Sequence, residues 1–212
     1  MKNPGVKIKK KLTAKGQLMK KELLEKALEL FGEKGYHATT VDDIVWAGDT
    51  GKGTFYWYWQ SKDEIFLELL SNKFESYISA LESVEKMKLP APDKLIMLIA
   101  EIGNMVVKYR KLCKLIYSLI SADTNKFNTE VLKVANDFYV RFREILTQFI
   151  QDGQQEGNIS REVDAQHLAT ILISIADGIL IQEKITNNKY LHPKMAETLI
   201  SVLKKGVLTQ PA

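Results

Sequence analysis

The sequence predicts an all-α protein of about nine helices, on three observations. Apolar residues recur at helical spacing along most of the chain, as in Val131, Ala135, Phe138, Phe142, Ile145 and Phe149, which follow one another at 4-3-4-3-4. Helix-capping signals and glycine or proline breaks fall between the periodic segments. No stretch alternates as a strand should, and no internal repeat is present. The helices divide into an N-terminal three-helix unit and a larger helical bundle.

Taken in order, MKNPGVKIKKKLT (1–13) holds five lysines and no acid, and reads as a flexible basic arm. From about Lys15 the positions Leu24, Ala27, Leu28 and Phe31 mark one helix face, with Gly35 as the stop. Thr40 and Asp43 form a capping box that opens a short helix, Val41 to about Ala47. Gly48 and Asp49 make a turn. A second short helix runs from about Gly51 to Tyr58. Ser61 and Glu64 cap a long helix that continues to about Glu85.

LPAPD (89–93) breaks the chain before a helix from Asp93 to about Arg110, and a shorter one covers Lys111 to Ala122. Asn128 to Asp152 is helical, and GQQEGN (153–158) is read as a loop. Asp164 caps a helix to about Lys184. Its segment LATILISIADGILI is apolar nearly all round, which calls for burial on two faces, one of them against a second subunit. Pro193 starts the last helix, ending near Lys205.

Composition excludes several classes. One cysteine, Cys113, rules out an internal disulfide framework and suits a reducing cytoplasm. The basic N-terminus lacks the apolar core of a signal peptide. The apolar stretch at 168–181 is interrupted by Thr170, Ser174 and Asp177, so no membrane span is expected. Residues 1–62 hold 12 basic and 7 acidic side chains while the rest holds 18 and 19, so the excess positive charge lies in the first third. That asymmetry suits a solvated tail or a polyanion footprint. No triad order, carboxylate pair, metal spacing or phosphate loop is present. GDTGKGT lacks the GxxxxGK[ST] spacing. Neither an enzyme nor a metal or other cofactor is expected.

Two short helices joined by a glycine-containing turn after a longer amphipathic helix make a helix-turn-helix, whose second helix enters the DNA major groove. The runs LFGEKGY and TTVDDIVWAGDTGKGTFYWYWQSKDEIF resemble the N-terminal signature of the tetracycline-repressor (TetR) family of transcription regulators. Leu30, Phe31, Gly35, Tyr36, Thr39, Thr40, Val41, Ile44, Lys52, Gly53, Thr54, Phe55, Tyr56, Tyr58, Ser61, Lys62 and Ile65 carry the resemblance, which covers about residues 18–70. One departure stands out: Gly48-Asp49-Thr50-Gly51 puts Asp49 where the family has its turn glycine and Thr50 where it has an apolar residue.

The resemblance implies a DNA-binding domain at 14–61 and a helical effector-binding and dimerisation domain at 62–212. It places Thr40, Lys52, Gly53, Thr54, Tyr56, Trp57, Tyr58 and Lys62 on DNA, with Lys52, Thr54 and Trp57 toward bases and Tyr56, Tyr58 and Lys62 toward phosphates. Phe55 and Trp59 are expected to face inward.

In the bundle, Phe74 and Tyr77, then Met97, Asn104, Met105, Tyr109, Cys113 and Tyr117, then Phe138, Phe142 and His167 are candidate pocket residues. The same residue types at this spacing equally suit a core. A mostly apolar effector would fit such a lining. Ile171, Ile175, Gly178 and Ile179 with Met195, Leu199 and Leu203 are placed near a two-fold interface, or within the core of one chain. The function implied is a cytoplasmic homodimeric repressor, released from a palindromic operator in double-stranded DNA by a small effector. A helical ligand-binding protein with a decayed DNA-reading unit is the alternative.

Overall fold

The computed structural model describes residues 13–120, 126–187 and 193–208. Residues 1–12 of the basic arm and Ala122, expected to end a helix, lie outside them. Eight helices form among the described residues: α1 (Ala14–Lys34), α2 (Val41–Ala47), α3 (Lys52–Tyr58), α4 (Lys62–Glu85), α5 (Ala91–Ile120), α6 (Lys126–Gln155), α7 (Ala165–Thr186) and α8 (Pro193–Gly206). The protein is all-α, as expected; the only extended pairing described is an isolated antiparallel bridge between Ile159 and Leu208.

Where helix boundaries differ from expectation, the causes are local. The segments predicted as 93–110 and 111–122 are one helix, α5, because nothing there removes a backbone donor or caps an end. The break survives as a kink at Tyr109 (φ −109°, ψ 18°). α6 runs through Gly153 to Gln155, where a loop was expected. A Cβ on Gly153 would lie 2.6 Å from Ile159 Cδ1 and 3.0 Å from the Ala91 Cβ, so this glycine serves close packing rather than a helix break.

The chain separates into two compact units, residues 1–66 and 67–212, and the division falls inside α4. In the first unit Leu23, Ala27 and Phe31 of α1 are buried with Ile44 and Val45 of α2 and Phe55 of α3. Phe31 and Tyr36 each meet the Phe66 ring edge to face with centroids 5.2 Å apart, and lie tilted to one another at 5.6 Å. Each fully buried large apolar side chain contributes about 1.5–3 kcal/mol, so this small unit rests on few residues.

The second unit packs α5, α6 and α7 against one another, with α8 against α5. Its core draws on Tyr77, Ile78 and Leu81 of α4, Leu95, Leu98 and Ile102 of α5, the Phe138–Phe142–Phe149 stripe of α6, and Leu168, Leu172 and Ile173 of α7. Residues 165–183 are long and apolar enough to cross a membrane by length and composition. Leu168, Ala169, Leu172, Ile173 and Leu180 are nonetheless buried within the protein.

Candidate DNA interface and ligand cavity

The turn between α2 and α3 is built by an exchange of roles between neighbours. Asp49 takes the left-handed conformation (φ 46°), which a short polar side chain tolerates. Gly48 is not left-handed, but a Cβ there would sit 2.6 Å from Leu23 Cδ2, inside the buried face of α1. The displaced glycine therefore lets α2 close on α1, and the aspartate bends the chain. The Thr50 N–H donates to the Val45 carbonyl (2.9 Å) and closes the turn.

Upstream, Thr40 caps α2: its Oγ1 accepts from the Asp43 N–H (3.1 Å), and its own N–H donates to Asp43 Oδ2 (2.8 Å). Lys34 donates to the other Asp43 oxygen (2.8 Å), and these bonds hold the Asp43 carboxyl far below the usual carboxylate range.

The aromatic cluster of α3 divides by exposure. Phe55 (0%) and Trp59 (1%) are buried, as expected, with centroids 5.5 Å apart. Tyr56 (54%) and Trp57 (68%) are exposed. Lys52 and Tyr56 lie four residues apart on one helix face, as do Gly53 and Trp57. Gly53 is exposed, and a Cβ there would meet nothing within 4 Å, so its bare backbone is open to approach. Thr54 is half-buried.

Lys52 Nζ pairs with Asp42 Oδ1 at 2.9 Å, with both side chains more than half exposed. Asp42 and Trp46 share the outer face of α2 by the same spacing, and Trp46 is 86% exposed. The pair thus joins two exposed strips, one on each short helix. Sequence reasoning missed Trp46 and Asp42. The signal was there, since Val41, Ile44 and Val45 define the inner side of α2 and leave Trp46 outside it.

Two residues expected on phosphates are committed elsewhere. The Lys62 ammonium donates to the Tyr36 and Thr39 carbonyls (2.8 Å each) and the His37 carbonyl (3.4 Å), and sits 4.3 Å from the Tyr36 ring centroid. An ammonium has three protons, and three carbonyls take them. Burial lowers its pKa from the usual lysine value. The Tyr58 hydroxyl donates to the Gly16 carbonyl (2.8 Å) and ties α3 to the start of α1. Both residues stabilise the unit rather than present a free donor.

Within the second unit, a cavity opens between α4, α5, α6 and α7. Phe74, Met105, Tyr109, Cys113, Tyr117, Phe138 and Phe142 line it. About 770 Å³ of non-atom space lies in and in front of it, open solvent included. Four other candidates lie elsewhere. Met97, Asn104 and His167 are exposed, and none of the three lines the cavity. Tyr77 is buried behind the wall with its ring against Phe138 and Phe142.

The lining that the sequence did not suggest includes Lys73, Tyr139 and Asp177. The Tyr117 and Tyr139 hydroxyls both donate to Asp177 Oδ1, at 2.6 and 3.0 Å. Burial raises the Asp177 carboxyl above its ordinary value, against the two tyrosine bonds. Burial, with Asp177 nearby, pushes the Cys113 thiol up to about 12, which leaves it protonated and unreactive.

Of the residues assigned to a two-fold interface, Ile171 (56%), Ile175 (38%) and Met195 (39%) are exposed, joined by Ile185 and Val202. Gly178 is half-buried, and a Cβ there would meet nothing within 4 Å, so no packing within the chain requires the glycine. Ile179 is also half-buried. Leu203 is a correction: at 6% exposure it belongs to the core, and Leu199 packs against that core from partial burial.

The chain thus carries a helix-turn-helix with its outer face exposed and, in its other unit, a helical bundle with a cavity. The model of the bacterial regulatory proteins of the tetR family matches residues 23–69. The fatty acid metabolism regulator protein of Bacillus subtilis (strain 168) is 22% identical over 186 residues, covering 88% of this chain and 94% of that protein.

Among solved structures, a transcriptional regulator from Saccharomonospora viridis in complex with choline superposes with a TM-score of 0.76 at 19% identity, covering 92% of this chain and all of that one. The regulator FadR from Bacillus subtilis in complex with stearoyl-CoA gives 0.70 at 21% identity, covering 88% and 98%. Residues 23–69 thus carry the DNA-binding unit of the tetR family of bacterial regulatory proteins, and the rest of the chain is similar to the same regulators at lower identity.

Proposed function

We propose that the protein is a homodimeric cytoplasmic repressor that reads a palindromic operator and releases it when a small, mostly apolar effector enters the bundle. The observation that carries this reading is the exposed strip of Lys52, Tyr56 and Trp57 on a short helix held rigidly from behind by Phe55 and Trp59. Exposed aromatics beside a lysine on a two-turn helix suit a major groove, where the lysine reaches guanine edges and the tyrosine hydroxyl a phosphate.

Residues 14–61 are the DNA-binding domain in this reading, residues 62–212 the effector and dimer domain, and the lysines of residues 1–13 add backbone contacts. Thr40 and Thr54 approach DNA from the starts of their helices, and Gly53 lets the backbone close in. Trp46 extends the contact surface onto α2. Ile171, Ile175, Ile179 and Met195 supply the two-fold contact, with Gly178 allowing the second copy close approach. The cavity lining supports an effector site, and the choline and stearoyl-CoA complexes of two proteins with this fold are in keeping with ligand response.

The test is a gel shift of the purified protein on DNA from upstream of its own gene, with random DNA as competitor and salt varied. A retarded complex on an inverted repeat, weakening steeply with salt, is the expected result. Equal affinity for random DNA would refute the reading.

A further inference from the structure

The Asp177 carboxylate is the feature of the cavity that its apolar lining does not explain. Both tyrosine hydroxyls reach the same oxygen, Oδ1. An asparagine carbonyl could also accept both hydroxyls, though more weakly, and what the aspartate adds is charge. Among the described residues no Lys, Arg or His lies within ion-pair distance of it. Lys73, the basic residue of the lining, is held over the Tyr109 ring, 5.6 Å from its centroid. A carboxylate partly withdrawn from water beside apolar side chains and left without a counter-ion carries a cost that a positive charge nearby would offset.

The rest of the wall suits a cation. Phe74, Tyr109, Tyr117, Phe138, Tyr139 and Phe142 contribute six rings, and ring faces attract desolvated cations. The Phe74 and Phe138 rings stack with centroids 4.1 Å apart, and the Phe142 ring lies tilted 5.6 Å from Phe138. Beyond the rings Ile102, Val106, Leu112, Ile116 and Leu180 offer purely aliphatic contact.

Resting on the reading that this cavity receives the effector, we propose that the ligand is an amphipathic organic cation, its ammonium set against Asp177 and its apolar part among the aliphatic side chains. A fatty acid or another lipophilic anion would bring a second negative charge to a carboxylate that has no counter-ion among the described residues. The anion is thus disfavoured where the cation is favoured.

Calorimetric titration of the full chain with three probes that share a ten-carbon tail tests the charge preference: decyltrimethylammonium, decanol and decanoate. The cation is expected to bind at least about tenfold more tightly than decanol, with decanoate weakest. In Asp177→Asn the advantage of the cation over decanol should vanish, while Asp177→Glu should keep part of it.

Decanoate binding as tightly as the cation, a preference unchanged in Asp177→Asn, or no probe binding would each overturn the proposal. The wild-type ranking stands without any variant, so a misfolded mutant does not remove the test. A parallel operator-release assay separates the two readings. Cation binding that leaves the operator complex intact would sink the regulatory role and keep the charge preference. Release by decanoate alone would do the reverse.

Discussion

The two units of this protein use aromatic side chains in opposite ways. In the helix-turn-helix, α3 presents Tyr56 and Trp57 outward while Phe55 and Trp59 carry a small core. In the bundle, Phe74, Phe138 and Phe142 turn inward and surround empty space beside a carboxylate. The first surface is open to solvent, and the second lines a cavity. Aromatic density alone therefore says little about function; what decides is what stands next to the rings, a lysine on an exposed helix face or an aspartate in a cavity.

The largest expected effect separates neighbours on α3. Phe55→Ala removes a fully buried ring from a unit with few others and should cost about 3–5 kcal/mol, enough to unfold the helix-turn-helix in a thermal melt. Trp57→Ala should stay within about 0.5 kcal/mol of wild-type stability yet weaken operator binding. Equal destabilisation by the two would mean that the exposed strip is structural.

Next comes Gly48, where a Cβ would press on Leu23. Gly48→Ala should destabilise by about 1–3 kcal/mol through overpacking. In the double variant with Leu23→Ala the two costs should not add, because the smaller side chain makes room for the new methyl. Strictly additive melts would show that the glycine is not there for that contact.

In the bundle, a smaller effect of opposite sign is expected. The Asp177 carboxyl titrates above its ordinary value when folded, so the folded state holds a proton that the unfolded chain has already released. Its contribution to stability is then present below the ordinary aspartate pKa and is lost as pH rises through the raised value. Asp177→Asn should therefore melt higher than wild type at pH 7.5, and the gap should narrow as pH falls toward 4. A lower melting temperature at pH 7.5 would argue against an uncompensated charge.

The smallest effect concerns the exposed Asp42–Lys52 pair on the side proposed to face DNA. Asp42→Asn frees Lys52 and removes a negative charge near the proposed phosphate path. An exposed pair of this kind is worth about 0–1 kcal/mol, so operator affinity should rise by only a few fold in an anisotropy titration. A loss of affinity would mean that Asp42 positions the lysine instead of masking it.

Legibility differed between the two units for physical reasons. The helix-turn-helix could be read closely, because its turn, caps and inward aromatics are short-range features. Thr40 with Asp43, the left-handed Asp49, and Phe55 four residues before Trp59 all sit where local rules put them. Lys62 and Tyr58 escaped the reading because their partners, the Tyr36, Thr39 and Gly16 carbonyls, lie 23 to 42 residues away in sequence.

The cavity was half legible for the same reason. Helical spacing placed Phe138, Phe142 and Tyr117 inward. Spacing cannot say that Asp177 on α7 receives hydroxyls from α5 and α6, nor that Met97 and His167 face solvent. Asp177 had registered only as an interruption in an apolar run, yet a charge in the middle of such a run was the sequence's one pointer to the cavity's chemistry.

The assignment of the α3 strip to DNA stands or falls most directly on one titration. Operator affinity is measured for the wild type and for Lys52→Ala with Tyr56→Phe, two exposed changes that leave the core untouched. A loss of about 2–4 kcal/mol is expected, from one lysine contact and one hydroxyl. An affinity within about twofold of the wild type would place the DNA-reading surface elsewhere on the molecule.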